Sequence, residues 1–209
     1  MPSNIQLFNG DCMEAMASMR DKQFDLAIVD PPYGIGMDGN NASTGGHGGR
    51  KAHTIKNWDN ERPSAEYFNQ LFRVSKEQII WGANYYPEYL HGTMGWIFWD
   101  KGQDIKQSDG ELAFSSFQRA FRRKIMNRCV LLKEGTIHPT QKPVALYKWL
   151  LKNYAKEGDK VLDTHLGSGS IAIACHDMGF NLVGYEIDKE YYDAAQKRLE
   201  NHKKQLTLF

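Results

Sequence analysis

The sequence has few cysteines and no long apolar run. Its three cysteines, Cys12, Cys129 and Cys175, form no C-x-x-C pair, which argues against a disulfide framework and against a zinc site built from paired thiols. No stretch has the roughly 18 consecutive apolar residues that a transmembrane helix requires, and no signal peptide is visible. We therefore expect a cytoplasmic protein with no membrane partner.

The chain also lacks an excess of charge of either sign. Its 26 Lys and Arg residues balance 25 Asp and Glu residues, which leaves a formal net charge of +1. Any attraction to nucleic acid must therefore come from local clusters of basic residues. With 209 residues, 41% of them hydrophobic, the chain is long enough for one domain, 1–209, with a full core.

Apolar runs alternate along the chain with breaks at Gly and Pro. These runs predict strands near 4–9, 24–29, 78–83, 94–99, 159–164 and 181–186. Helices are predicted near 64–76, 140–155, 169–178 and 189–203. The alternation predicts an α/β fold with a doubly wound, mostly parallel, Rossmann-like sheet that is covered on both faces.

The segment Asp30-Pro31-Pro32-Tyr33 follows the apolar run 24–29. Because prolines stop a strand, Asp30 is expected at the carboxyl end of a parallel strand, where α/β sheets bind ligands. The Asp30 carboxylate and the Pro31 carbonyl could accept hydrogen bonds from an exocyclic amine, and Tyr33 could stack on a base that has left its duplex. The alternative is a turn that only ends the strand.

A second segment, residues 161–172, is typical of a strand, a glycine loop and a helix. Gly167 and Gly169 would let a cofactor approach the backbone, and Glu186 follows a second strand, where a carboxylate can bind ribose hydroxyls. A nicotinamide cofactor is a weaker interpretation, because only about forty residues follow the loop, too few for two dinucleotide-binding halves. The Asp163 carboxylate favours the cationic S-adenosylmethionine.

In this combination and order, the chain resembles the DNA N4-cytosine/N6-adenine methyltransferases of the permuted β class, in which the DPPY segment precedes the cofactor loop. The resemblance covers nearly the whole chain, including Asn9–Cys12 and His138–Pro143. It implies S-adenosyl-L-methionine as cofactor and double-stranded DNA as partner. The catalytic residues that it implies are Asp30, Pro31, Pro32 and Tyr33. The implied cofactor-binding residues are Asp11, Cys12, Asp30, Thr140, Lys142, Asp163, Leu166, Gly167, Ser168, Gly169, Glu186 and Ile187.

The expected activity is direct methyl transfer to the N6 amine of a flipped adenine, because Asp at the first motif position usually accompanies adenine in this family. N4-cytosine methylation is the alternative, and an inactive DNA-binding or replication-associated module is a third interpretation. The family usually has Pro after the acid of the cofactor loop, whereas Thr164 follows Asp163 here. No proline is followed by Cys, so covalent C5-cytosine methylation is not expected.

Two basic segments are predicted to contact DNA. The loop 34–57 follows the catalytic tyrosine and could act as a lid; His47 and His53 within it lack further metal ligands, and we predict no metal. The second, 117–133, has no acid and lies in a predicted target-recognition insert at about 102–137. The predicted DNA-binding residues of the two segments are Arg50, Lys51, Arg119, Arg122, Arg123, Lys124 and Arg128.

Two partners besides DNA are predicted. Family members often dimerise, and the aromatic residues Trp81, Tyr85, Tyr86, Trp96 and Trp99 could serve a homodimer, although we expect core packing for most of them. The terminal residues Gln205-Leu206-Thr207-Leu208-Phe209 resemble the motif by which bacterial DNA-processing enzymes bind the sliding clamp. The alternative for this tail is packing against its own sheet or a dimer partner.

Overall fold

The computed structural model describes residues 3–38, 56–102, 108–127 and 129–206. The strands are β1 (Ile5–Asn9), β2 (Phe24–Val29), β3 (Ser75–Trp81), β4 (Ile97–Asp100), β5 (Gly110–Ser115), β6 (Arg122–Ile125), β7 (Lys160–Asp163) and β8 (Asn181–Glu186). The helices are α1 (Cys12–Ser18), α2 (Ala65–Val74), α3 (Val130–Glu134), α4 (Val144–Tyr154), α5 (Ser170–Met178) and α6 (Lys189–Leu206).

The strands form one sheet in the order β1-β8-β7-β2-β3-β5-β4-β6. Among the described residues, five of its seven strand pairs are parallel, and the two pairs made by β5 are antiparallel. The predicted mostly parallel, Rossmann-like sheet is thereby confirmed. The chain leaves β2 toward β3 and leaves β7 toward β8 on the opposite side. The gap between β2 and β7 is thus a switch point, where such sheets bind ligands.

Both faces of the sheet are covered by helices. Along β2, Ala27 and Val29 belong to a core with α1 and α2, whereas Leu26 and Ile28 belong to a core with α4, α5 and α6. Alternate side chains of a strand point to opposite faces. A strand buried on both faces must therefore be apolar throughout, which explains the uninterrupted run at 24–29.

Several element boundaries differ from those predicted. Strand β3 begins at Ser75, directly after α2, because the backbone of Ser75 is extended, with φ −122° and ψ 148°, and ends the helix there. It ends at Trp81 because Gly82 turns the chain with a φ of +67°. Helix α4 begins at Val144 rather than at 140, since residues 141–143 are not helical. Helix α1 had not been predicted.

The predicted insert at 102–137 is not separate from the sheet. Strand β5 lies between β3 and β4, and its Ala113 and Phe114 are fully buried. Strand β6 extends the sheet beside β4. The sequence 110–115 begins with Gly and Glu and lacks an apolar run, so its place in the core was not recognised.

The aromatic residues are mostly core. Trp81, Tyr86 and Trp99 are at most 1% exposed, which confirms core packing for them and removes them as candidates for a dimer surface. Within the described ranges, no helix is both long and apolar enough to span a membrane.

Candidate active site

The site forms around Asp30, immediately after β2 at the carboxyl edge of the sheet. Asp30 Oδ1 accepts a 2.6 Å hydrogen bond from the Tyr33 hydroxyl. Asp30 Oδ2 accepts a hydrogen bond from Lys142 Nζ and forms an ion pair with it. Lys142 comes from the segment before α4, so the two ends of this pair are 112 residues apart in sequence.

Lys142 is shared between two carboxylates. Its Nζ also lies 3.0 Å from Glu111 Oε2 on β5, and the other Glu111 oxygen lies 3.0 Å from Lys101 Nζ. The Lys142 side chain is only 1% exposed. The four groups form an ion chain, Asp30–Lys142–Glu111–Lys101, in which two negative and two positive charges balance. Balanced pairing is the condition under which charges tolerate burial.

The ion chain changes the acidity of its members. Burial raises the pKa of Asp30, and the charge of Lys142 only partly offsets this effect. Burial would also raise the pKa of Glu111, but Lys142 and Lys101 outweigh it and hold that pKa at about 2. The two carboxylates likewise raise the pKa of Lys142 despite its burial. Of the two carboxylates, Asp30 is therefore the one that takes up a proton more readily.

The prolines and Tyr33 are held by aromatic neighbours. The Tyr86 hydroxyl lies 2.9 Å from the Pro31 carbonyl and 2.5 Å from the Pro32 carbonyl, and it donates to one of them at a time. The Tyr33 ring stacks on Tyr85 with centroids 4.9 Å apart. A Cβ at Gly82 would collide with the Tyr33 ring. Tyr33 is thus fixed by packing, and its edge and hydroxyl face Asp30.

Asp59 organises the chain just after the motif. Its Oδ1 accepts hydrogen bonds from the backbone N–H of Tyr33 at 2.6 Å and of Gly34 at 2.9 Å. Its Oδ2 accepts one from Met37 at 2.7 Å. Asp59 had not been singled out from the sequence, and nothing in its local pattern distinguishes it. One buried carboxylate therefore holds the backbone of the first residues of the predicted lid through hydrogen bonds.

A cavity of about 400 Å³ lies beside the glycine loop. Gly167 and Gly169 adopt φ values of +51° and +70°, which allow the tight turn between β7 and α5. The cavity has an aromatic wall in which the His138 ring lies 5.1 Å from Trp58 and 4.4 Å from Tyr191. Its volume is in the range of small-molecule sites.

Two buried carboxylates lie near the glycine loop: Glu186 lines this cavity, and Asp163 ends β7 just before the loop. Glu186 receives the backbone N–H of Gly167 at 2.8 Å and of Asp188 at 2.9 Å, yet burial still raises its pKa. Asp163 is 2% exposed, and burial raises its pKa to about 8, although the His165 N–H bonds to it. Raised carboxyl pKa values show that negative charge is undercompensated here. A cationic ligand would relieve that imbalance.

A second cavity, of about 390 Å³, opens on the other side of Asp30. It is lined by the DPPY segment, by Tyr85 and by two further members of the ion chain, Glu111 and Lys101. Asp30 and Pro32 line both cavities. The other residues common to the two linings are Trp58, Thr140 and Gln141. Asp30 therefore stands on the wall between two sites, each large enough for a small molecule.

The structure gathers most of the predicted cofactor residues. Those that line the cavity beside the glycine loop are Asp30, Thr140, Lys142, Leu166, Gly167, Ser168, Glu186 and Ile187. Asp11, Cys12, Asp163 and Gly169 do not line it. Asp11 instead caps α1 by accepting the Met13 N–H at 2.7 Å, and burial raises the pKa of Cys12 to about 12. Residues of the two cavities that the sequence reasoning missed are Trp58, Asp59, Lys101, Glu111, His165 and Tyr191.

The predicted DNA-binding residues are dispersed. Arg50, Lys51 and Arg128 lie outside the described residues, as do most of the loop 34–57 and both of its histidines. Arg119 packs over Phe117 and Tyr154 and donates to the Asn153 carbonyl. Arg122, Arg123 and Lys124 lie on β6. Within the ranges that the structure describes, no group of three His, Cys, Asp or Glu side chains could hold a metal ion.

Comparison with known proteins agrees with this geometry. A family profile described as DNA methylase matches residues 98–197. The type II methyltransferase M.HpaI of Haemophilus parainfluenzae is 26% identical, over 94% of this chain and 74% of that protein. The type II methyltransferase M.HinfI of Haemophilus influenzae is 22% identical, over 94% and 68%.

Solved structures share the fold. The M1.HpyAVI–SAM complex superposes with a TM-score of 0.64 at 21% identity, covering 93% of this chain and 100% of that one. The PvuII DNA methyltransferase, described as cytosine-N4-specific, gives a TM-score of 0.61 at 14% identity, covering 98% and 92%. The chain is thus similar in sequence to DNA methyltransferases and shares the fold of DNA N4-cytosine/N6-adenine methyltransferases.

One of these related structures is a complex with S-adenosylmethionine, and the residues of this chain fit that cofactor. The undercompensated carboxylates Asp163 and Glu186 suit a ligand with an ammonium and a sulfonium group. The Glu186 oxygens accept backbone N–H groups of Gly167 and Asp188, and a carboxylate with about four acceptor positions can also accept from ribose hydroxyls. Gly167, which has a positive φ, lines the cavity and leaves that part of its wall without a side chain.

The raised pKa of Asp163 predicts a pH-dependent stability. Asp163 keeps its proton in the folded state up to about pH 8, whereas the unfolded chain releases it near pH 4. The free energy of unfolding should therefore fall as pH rises from 4 to 8, by at most about 1.4 kcal/mol per pH unit. Urea unfolding at pH 5 and pH 8 should show this loss in the wild type and a smaller loss in Asp163→Asn.

The exposed Asp193, which pairs with Lys189 on α6, provides the control, since surface pairs contribute little. Asp193→Asn should keep the pH dependence of the wild type. An equal loss of stability with pH in Asp163→Asn and wild type would show that Asp163 does not titrate in this range.

Proposed function

We propose that this chain transfers a methyl group from S-adenosylmethionine to the N6 amine of an adenine in double-stranded DNA. The observation that carries the proposal is the position of Asp30 on the wall shared by the two cavities. One cavity has the carboxylates and glycines that suit the methyl donor. The other has the DPPY segment and is open for a base that has left the duplex.

In this mechanism the bound cofactor supplies an electrophilic methyl group. The amine nitrogen would form a bond to that carbon as the bond from the carbon to the donor sulfur breaks; S-adenosylhomocysteine would be the leaving group, and the amine would lose one proton. Asp30 draws on the amine protons and accepts the one that leaves, because a carboxylate has about four acceptor positions and Tyr33 and Lys142 occupy two of them. The Pro31 carbonyl is the second acceptor for the amine. The raised pKa of Asp30 makes it a better proton acceptor.

Tyr33 is proposed to hold the base. Its stack on Tyr85 gives the pocket a two-ring aromatic wall, and aromatic rings bind bases by stacking. Adenine is favoured by the residue type at position 30, since Asp rather than Ser usually accompanies adenine in this family. The alternative is N4 of cytosine, which is favoured by the fold shared with a structure described as cytosine-N4-specific.

Mass spectrometry of DNA nucleosides tests the proposal. After incubation of unmethylated DNA with protein and S-adenosylmethionine, we expect N6-methyladenine. N4-methylcytosine would overturn the adenine assignment, and no methylated nucleoside would overturn the activity. Long-read sequencing of the same DNA would identify the recognition site.

Asp30→Ala should reduce the single-turnover rate by about 10²-fold or more, because it removes the acceptor needed as the amine loses its proton. Cofactor affinity, measured by calorimetry, should change little, since the glycine loop and Glu186 remain. Glu77→Gln is the control and should keep the full rate. Glu77 lies near the start of β3, away from Asp30, and is hydrogen-bonded to Ser116. Wild-type turnover by Asp30→Ala would remove Asp30 from the mechanism.

DNA is proposed to run along the edge strand β6. This strand is parallel to β4, so its last residue, Ile125, lies beside Asp100 at the edge of the sheet where Asp30 lies, and its first residue, Arg122, lies beside Ile97, three residues further from that edge. Arg122 and Arg123 are both exposed, but they differ in pairing. Arg123 Nε donates to Asp100 Oδ2 at 2.8 Å. Arg122 has no ion-pair partner among the residues that the structure describes, which leaves its charge available for a phosphate.

Arg122→Ala should therefore weaken DNA binding and lower the slope of log K against log salt by about 0.9, the loss of one phosphate contact. Arg123→Ala is a matched variant in the same strand and should lower the slope less, because Asp100 already compensates its charge. Fluorescence anisotropy between 50 and 200 mM salt, a range over which phosphate contacts are resolved, measures both. Equal slopes for Arg122→Ala and wild type would exclude this path.

The tail is proposed to bind a bacterial sliding clamp. Gln205 and Leu206 belong to the last turn of α6, and helix ends fray readily, so binding can extend them. Residues 207–209 lie outside the described residues. An extended tail could bury Leu208 and Phe209 in an apolar pocket while Gln205 fixes the register. A homodimer remains a prediction from the family alone.

Calorimetry with purified clamp should detect binding of the whole chain 1–209 and no binding of a variant ending at Lys204. Leu208→Ala with Phe209→Ala should also abolish binding while leaving α6 intact. If the full-length chain does not bind at clamp concentrations of tens of micromolar, which correspond to roughly −6 kcal/mol, the tail has another role.

A further inference from the structure

Glu111 has no role in the mechanism above, yet it occupies a central place in the site. It lies on β5 opposite Trp99, lines the proposed base cavity and binds both lysines of the ion chain at 3.0 Å. Its neighbours in the strand, Ala113 and Phe114, are fully buried. A carboxylate on a core strand is held more rigidly than one on a loop, and Glu111 therefore fixes its partners in place.

We propose that Glu111 is a positioning residue for methyl transfer, which holds Lys142 against Asp30 and thereby sets the orientation and charge of the proton-accepting carboxylate. The proposal rests on the proposed function. It assigns to β5 a role in catalysis although Glu111 does not accept the proton itself.

The geometry gives Glu111 this role through Lys142. Lys142 Nζ contacts Asp30 Oδ2 and Glu111 Oε2, and its side chain is almost completely enclosed. Without Glu111, the whole charge of Lys142 would act on Asp30. Asp30 would then bind a proton less readily, and Lys142 would compete more strongly with the amine for its lone pairs. Glu111 thus divides the attraction of Lys142 between two acids.

Glu111, Lys142 and Lys101 carry the main fixed charges around Asp30, because the other titratable groups near it are neutral. Tyr33, Tyr86 and Tyr147 stay neutral because burial raises the pKa of each. Asp163, with a pKa raised to about 8, is mostly protonated below that pH. The negative charge of Glu111 is one of the causes that raise the pKa of Asp30. The acid limb of the pH–rate profile should therefore follow the pKa of Asp30, which the charges of the ion chain set.

The test compares Glu111→Gln with wild type in single-turnover methyl transfer between pH 5 and 9. The rate should fall about 10-fold or more, and the acid limb should move to lower pH because Asp30 loses a negative neighbour. Glu111→Asp, which restores the charge, should return the limb toward its wild-type position. Lys101→Met removes a positive charge from the other side of Glu111 and should move the limb to higher pH.

A purely structural defect would not shift the acid limb in opposite directions in Glu111→Gln and Lys101→Met. Cofactor affinity measured by calorimetry should be unchanged in both, and Glu77→Gln on β3 should match wild type throughout. If Glu111→Gln does not fold, Lys101→Met and Glu111→Asp still test the direction of the shift.

A wild-type rate and pH profile in Glu111→Gln would overturn the proposal. So would a loss of rate that is matched by an equal loss of cofactor affinity. An inactive wild-type protein would instead contradict the proposed function itself, so the two failures are distinguishable. A double variant with Lys142→Met provides the last check: Glu111→Gln should cause a smaller further loss of rate in that background, because the positioning effect of Glu111 passes through Lys142.

Discussion

The ion pair between Lys142 and Asp30 joins parts of the chain that are 112 residues apart and connects both cavities of the site. Lys142 is 1% exposed, and an ammonium group so enclosed is stable only while its partners remain charged. Glu111 and Asp30 come from β5 and from the end of β2, so the pair depends on the pairing of both strands with β3. The order of the sheet and the charge of the site therefore support each other.

The switch point explains why two cavities meet at one residue. The chain turns in opposite directions after β2 and after β7, and each turn leaves space beyond the edge of the sheet. The DPPY segment bounds one space and the glycine loop bounds the other. Asp30 lies between them because β2 and β7 are neighbours, paired at Leu26–Val161 and Ala27–Leu162. A donor and an acceptor bound in adjacent spaces are brought together without a large change in the fold.

Local sequence patterns were sufficient to locate the two motifs, because DPPY and the glycine loop carry their geometry in adjacent residues. They were insufficient for Glu111 and Asp59. The function of these residues depends on contacts distant in sequence: Glu111 with Lys142, and Asp59 with the N–H of Tyr33 and Gly34. Strand β5 was missed for a related reason. Its Gly110 and Glu111 are polar or small since they face the site, so the segment lacks the apolar run that identifies a buried strand.

The electrostatics of the two cavities differ in a way that links binding to chemistry. Around the ion chain the charges cancel, which keeps Asp30 in a defined environment. Beside the glycine loop they do not cancel, and the pKa values of Asp163 and Glu186 are raised. A cation in that cavity would lower both values and, through the shared wall, that of Asp30 as well. Asp30 would then release a proton more readily while a cationic donor is present, and it would hold a proton more readily once the positive charge has gone. A proton acceptor must be without its proton before methyl transfer and must hold one afterwards, and these two changes in the pKa of Asp30 follow that order.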